Sequence, residues 1–190
     1  PITLRRLYQA LSTPGVLWAE PLVLQFSQWR LRDGRQEVAQ IVGLAPDSGL
    51  NLPWDMAQGR RADLRHDDGV IIDERERVRF GSAARPLQIG DRAEIFDVRA
   101  RVAGFSRGVG SFTTIPYVFT THKQAERYTP IAEGQTKYVV VKAAPGVAAE
   151  SLQNRLAHRM PDMDVLTADQ LSRRTRDYWL FGTGIGMGII

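Results

Sequence analysis

The chain has no cysteine among its 190 residues. Disulfides, thiolate metal sites and thiol nucleophiles are therefore excluded together. Both extracytoplasmic and cytosolic proteins manage without cysteine, so the absence alone assigns no compartment. Lysine is almost as scarce: of 25 basic residues only Lys123, Lys137 and Lys142 are lysines, and the rest are arginines. Histidine occurs three times, at His66, His122 and His158, far apart in the chain. No Gly-x-Ser-x-Gly, phosphate-loop or His-Glu-x-x-His pattern occurs, which leaves an enzyme reading without positive support. No internal repeat or low-complexity tract stands out. Long apolar runs are missing until the last thirteen residues.

Apolar residues make up 43% of the chain and charged residues 24%. That composition suits a folded domain with a real core, single or with two lobes. The net charge of +4 comes from scattered arginines. Arg60, Arg61 and Arg65 form one group, Arg75, Arg77 and Arg79 a second, and Arg173, Arg174 and Arg176 a third. None stands beside stacking aromatics, so nucleic acid is not an expected partner.

Past Asp177 there is no charge. Residues 178–190 are aromatic, aliphatic, glycine or threonine. Tyr178 and Trp179 lie side by side between the third arginine group and the apolar run, the pattern of a chain entering a bilayer. A full span takes about 20 apolar residues, so this run is read as the opening part of a transmembrane helix. Gly182 and Gly186, and Gly184 and Gly188, are spaced for close helix approach in a membrane. A frayed tail or buried C-terminal helix is the competing reading. Four glycines in seven residues make it the weaker one, each costing about 1 kcal/mol in a soluble helix. The expected organisation is an extracytoplasmic domain over 1–178 and the start of a membrane helix over 179–190. Arg173, Arg174, Arg176, Tyr178 and Trp179 mark the expected membrane boundary. Pro1 stands in place of a methionine and no signal peptide is present. Together with the apolar end, this reads as a domain from within a membrane protein.

Leu4, Leu7, Tyr8 and Leu11 have helical spacing, and Pro14-Gly15 ends that helix. Val16 to Glu20 reads as a short strand. The runs 22–31 and 36–44 read as strands joined at Asp33-Gly34, a tight hairpin signal. Residues 46–69 look irregular and long for a plain connection, hence a surface excursion or a functional loop. Val70 to Asp73 reads as a buried strand, followed by a charged helical turn that ends at Gly81. A second hairpin is expected over 93–96 and 98–105, with Val98, Ala100 and Val102 on one face and Arg99 and Arg101 on the other. Strands over 115–120, 137–143 and 164–166 follow. A helix over 122–128 and another carrying Leu152, Leu156 and Met160 complete the middle. Thr167-Ala168-Asp169-Gln170 is a capping box for a last helix.

Candidate chemistry is thin. His66-Asp67-Asp68 are adjacent residues in an Asp-Gly loop, which rarely converge on one ion. The pairs Asp67/Asp68 and Asp73/Glu74 read as solvated turn residues before they read as acid–base pairs. Gly182-Thr183-Gly184 lacks the third glycine and the preceding strand of a dinucleotide loop. No catalytic, cofactor or metal residue is nominated. Phe105, Arg107, Val109 and Phe112 are nominated as partner contacts, because apolar side chains and an arginine flank a Gly-rich loop. The competing expectation is that the phenylalanines fold back into the core.

One order of motifs goes further. Asp68-Gly69-Val70-Ile71-Ile72-Asp73 precedes Phe80-Gly81, Ile89-Gly90-Asp91 and Ala100-Arg101-Val102-Ala103-Gly104-Phe105. Pro116-Tyr117-Val118-Phe119 and a Lys137-to-Ala143 strand with Pro145-Gly146-Val147 come next. This series resembles the extracytoplasmic domain of MacB/FtsX-type ABC transporter permeases. Arg6-Leu7-Tyr8-Gln9-Ala10-Leu11, Pro14-Gly15-Val16, Trp29-Arg30, Gly43-Leu44, Asn51-Leu52-Pro53 and Tyr178-Trp179 resemble the DevC-like branch. The resemblance covers nearly the whole chain.

It implies an α+β fold, a mixed and largely antiparallel sheet with packed helices, split into a core lobe and a hairpin lobe. It implies an inner-membrane permease with four membrane helices, working as a homodimer with an ABC ATPase subunit and a periplasmic adaptor protein. Lipid would meet the C-terminal end. The domain would carry no cofactor and no ATP site, transmit ATPase-driven movement and engage the adaptor. Such domains have a strand ahead of the Arg-Leu-Tyr helix, and this chain is expected to start too late to show it. The alternative function is a membrane-tethered sensory or ligand-binding domain.

Overall fold

The computed structural model describes residues 1–110 and 114–177. Two compact units are present among the described residues, one drawn from 1–7 and 20–140 and the other from 8–19 and the chain from 141 on.

In the first unit, strand β1 (Ile2–Thr3) leads into helix α1 (Arg5–Leu11), which continues into the second unit. Strand β2 (Val16–Arg30) and strand β3 (Gln36–Leu44) form the first hairpin, in register from Val23 opposite Gly43 to Arg30 opposite Gln36. Gly34 closes it at φ +86, a conformation that L side chains rarely adopt. Strand β4 (Met56–Gln58) follows, and a short 3-10 turn at Arg61–Arg65 leads to strand β5 (Gly69–Asp73), buried along its whole length. Helix α2 (Arg77–Phe80), strand β6 (Arg92–Ile95) and strand β7 (Val98–Ser106) come next. Strand β8 (Tyr117–Thr121) runs into helix α3 (His122–Arg127), and strand β9 (Gln135–Thr136) pairs with β1.

Strand pairing runs β2-β3-β8-β5-β7, and β6 pairs with both β7 and β2. The six strands therefore close on themselves. Pairs β3–β8 and β5–β7 are parallel. Pairs β2–β3, β2–β6, β5–β8, β6–β7 and β4–β7 are antiparallel. This is the mixed, largely antiparallel sheet of the α+β expectation. The larger core cluster draws on Val23, Trp29, Ile41, Val70, Ile72, Ile95, Val102, Phe105 and Val118. Trp29 sits opposite Ile95 where β6 meets β2, and its ring stacks on Phe80 of α2 at 4.4 Å. A second cluster gathers Val42, Leu44, Leu64, Ile71, Val109 and Phe119. Residues adjacent along β3 and β5 alternate between the clusters, as a pleated strand requires.

Tyr128 is fully buried, and its hydroxyl donates between the carbonyls of Arg99 at 3.0 Å and Asp68 at 3.2 Å. Burial pushes its phenol well above the usual range, so it stays a donor.

In the second unit, the C-terminal half of strand β10 (Tyr138–Ala143) leads to helix α4 (Ala149–Arg159) and helix α5 (Ala168–Asp177). Leu152, Leu156 and Met160 are buried, as the helical spacing predicts. Gln153 Nε2 reaches the Val165 carbonyl and Gln170 Oε1, both at 2.7 Å. The capping box is present: Gln170 Oε1 accepts from the Thr167 amide, and Thr167 Oγ1 accepts from the Gln170 amide.

Five expectations need correction. β2 runs unbroken through Pro21 instead of stopping at Glu20. The β3 ladder begins only at Val23, so Pro21's missing N–H costs it nothing there. Phe96 is not a strand residue: Phe96 at φ 52 and Asp97 at φ 61 form the turn itself. Residues 164–166 form no strand, and the Val165 carbonyl is taken by a side chain. A strand does precede α1, as the two residues of β1. Two units are present, as the two-lobe expectation has it, but both hairpins lie in the first, so the second is not a hairpin lobe.

Candidate partner-contact site

Asp73 ends β5 at 4% exposure. A buried carboxylate has to be satisfied by donors from the protein. Its Oδ1 accepts from the Arg75 amide at 3.2 Å, capping the turn that follows. Its Oδ2 accepts from the Val109 amide at 2.7 Å and the Ser106 hydroxyl at 3.3 Å. The end of β7 and the loop beyond it are thus tied to β5 by one side chain. From the other side, the Arg107 amide donates to the Asp55 carbonyl at 3.0 Å, next to β4.

This pinning decides what the loop presents. Phe105 is fully buried and lies under the Arg77 guanidinium, 4.8 Å from the ring centroid. Val109 is 1% exposed and belongs to the second core cluster. The expectation that these two side chains stand out as contacts is therefore corrected: both fill the core. Arg107 does stand out, with its side chain 60% exposed and only a loose pair to Glu74 at 3.5 Å. Phe112 lies outside the described residues. Trp54, unnoticed in the sequence reading, is 62% exposed and directly precedes Asp55. The sequence signal was its place after Pro53 in the long 46–69 segment, since a large aromatic in a polar loop has no local core to fill. Exposed tryptophan and arginine on a backbone held by buried hydrogen bonds are what interface anchors consist of.

At the other expected boundary, Arg173 and Arg174 are exposed on α5, and Arg174 Nη1 bonds Asp164 at 2.9 Å. Arg176 lies in α5, while Tyr178, Trp179 and the apolar run lie outside the described residues. No helix of the described residues is long and apolar enough to cross a membrane.

A cleft of about 350 Å³ opens between 44–52, the 3-10 turn and the end of β8. Its guanidiniums are engaged locally, Arg65 with Asp47 and Arg61 with Asn51. Among the described residues no group of three or more acidic or histidine side chains converges as a metal site would. Of the three histidines, His66 is exposed and His122 is buried at the start of α3.

Residues 1–159 match the model of the MacB-like periplasmic core domain. The chain belongs to that family. The MacB-like fold recurs in solved structures. The periplasmic region of MacB from Actinobacillus actinomycetemcomitans superposes with a TM-score of 0.66 at 12% identity, over 93% of this chain and 84% of that one. The extracellular domain of YknZ, a noncanonical ABC-type transporter of Gram-positive bacteria, gives 0.63 at 12% identity, over 85% and 83%. A domain of a permease protein from Porphyromonas gingivalis gives 0.53 at 19% identity, over 83% and 69%. At these identities the likeness is one of fold. No curated protein sequence matches the chain. As a MacB-like periplasmic core domain, the chain is an extracytoplasmic domain of the ABC transporter permease class.

Proposed function

We propose that this MacB-like domain couples an ABC ATPase to a periplasmic adaptor protein in an export permease, without chemistry of its own. The observation that supports this most is the Asp73-pinned loop, which carries exposed Arg107 and is bonded through the Arg107 amide to Asp55, next to exposed Trp54. A surface that must pass movement to a partner needs anchors that do not give way, and buried hydrogen bonds behind the loop provide that. In this reading the full-length permease is a homodimer in the inner membrane. The segment from Tyr178 enters the bilayer, with Arg173, Arg174 and Arg176 beside lipid phosphates. ATP is hydrolysed by a separate subunit.

The test is adaptor affinity for the permease and for its Trp54→Ala and Arg107→Ala variants. Each substitution is expected to weaken binding about tenfold or more, the size of an interface anchor. Both residues are exposed, so the unfolding midpoint should hold. Unchanged affinity in both variants would place the adaptor contact elsewhere on the domain.

A further inference from the structure

His122 opens α3 at 9% exposure, and its Nε2 has no hydrogen-bond partner. On the other side of the ring, Nδ1 is 3.7 Å from Glu126 Oε1, one helical turn on. That same oxygen accepts the Gly134 amide at 2.9 Å. Gly134 in turn accepts the Leu4 amide at 3.1 Å. Beside it, Gln135 and Thr136 of β9 pair with Thr3 and Ile2 of β1. A short chain of contacts thus connects the imidazole to the β1–β9 pair.

We propose that His122 is a proton-sensitive latch, through which acidification outside the cell loosens the β1–β9 pair. Two effects of one proton act on the same corner. With the neutral ring's proton on Nδ1, on the Glu126 side, protonation adds an N–H at the buried Nε2, which has no hydrogen-bond partner. It also draws Glu126 toward the imidazolium, in competition with the Gly134 amide. The other groups around the imidazole do not supply a fixed counter-charge. Lys123 on α3 itself is exposed, and Arg65, His66 and Asp67 line the same cleft as His122. Arg65 is already bonded to Asp47.

Burial holds the His122 pKa below its ordinary 6.5, with Glu126 and a hydrogen bond to the Gln135 backbone opposing. A lowered histidine pKa means that the unfolded or opened form binds the proton more readily. The stability of the corner is therefore complete above the ordinary imidazole range and is lost as pH falls through the folded-state value. For one proton the loss cannot exceed about tenfold per pH unit.

The experiment is hydrogen exchange on the full chain between pH 8 and 5, corrected for the intrinsic exchange rate. The amides of Leu4 and Gly134 are expected to lose protection below about pH 6.5, while those of Ile71 and Ile72 in buried β5 do not. In His122→Gln the loss should vanish, because the amide does not titrate. In Glu126→Gln the onset should stay in the ordinary imidazole range while the loss runs on to lower pH and becomes larger, because the carboxylate that favours the imidazolium in the closed form is gone. In His66→Gln it should remain. Protection that is flat with pH in the unsubstituted chain would overturn the proposal, as would a fall that survives His122→Gln or disappears with His66→Gln. Should His122→Gln fail to fold, Glu126→Gln decides alone, and a loss that levels off at the same or a higher pH than in the unsubstituted chain refutes the latch.

Discussion

A carboxylate 4% exposed has to find its donors inside the protein, and Asp73 finds three. The Val109 amide it binds lies 36 residues away in sequence, which is why the fate of the loop was not legible from the loop. Its composition, with two phenylalanines, an arginine and glycines, is equally that of an exposed contact and of a core closure. The deciding residue read as a solvated turn acid. Removing it should show how much rests on it. Asp73→Ala leaves the Val109 amide and the Ser106 hydroxyl buried without an acceptor and removes the cap of the following turn. A loss of about 2–4 kcal/mol is expected in denaturant unfolding. Asp73→Asn, which keeps one acceptor oxygen, should lose less. Equal stability of Asp73→Ala and the unsubstituted chain would mean that the loop is not held from β5.

At the scale of elements, local chemistry was read well and long-range closure was not. The alternation in β7, with buried Ala100 and Val102 against outward Arg99 and Arg101, follows from period-two patterning alone. Asp33-Gly34 and the Thr167–Gln170 box carry their structure in two and four residues. By contrast, the second pairing of β6 joins Ile95 to Trp29, and no local pattern announces it. β1 is two residues long, too short for any period to register. The seat of α3 on β3 is another non-local fact. A Cβ placed at Gly43 would stand 2.3 Å from the Ala125 Cβ, so the glycine is there for space. Gly43→Ala should cost about 1–3 kcal/mol by overpacking. Adding Ala125→Gly should return part of that cost, beyond what the two single changes would sum to. Additive effects would show that helix and strand do not press on each other at this point.

At the scale of the whole molecule, family membership and fold agree with the resemblance read from ordered motifs, each weak alone. Motif order carries such information because pieces such as Gly69–Asp73, Gly90 and Ala100–Phe105 sit at buried strands or a tight turn that the fold cannot move. What the motifs do not carry is the proposed contact surface, since Trp54 and Arg107 are exposed and under no packing constraint of their own. The coupling account is tested most directly by ATP hydrolysis in the reconstituted full-length permease with its ATPase subunit, measured with and without the adaptor. If the Trp54–Arg107 edge passes movement between adaptor and ATPase, the adaptor-dependent change in rate should disappear in the Trp54→Ala/Arg107→Ala double variant at unchanged folding. An adaptor response of full size in that folded double variant would contradict the account.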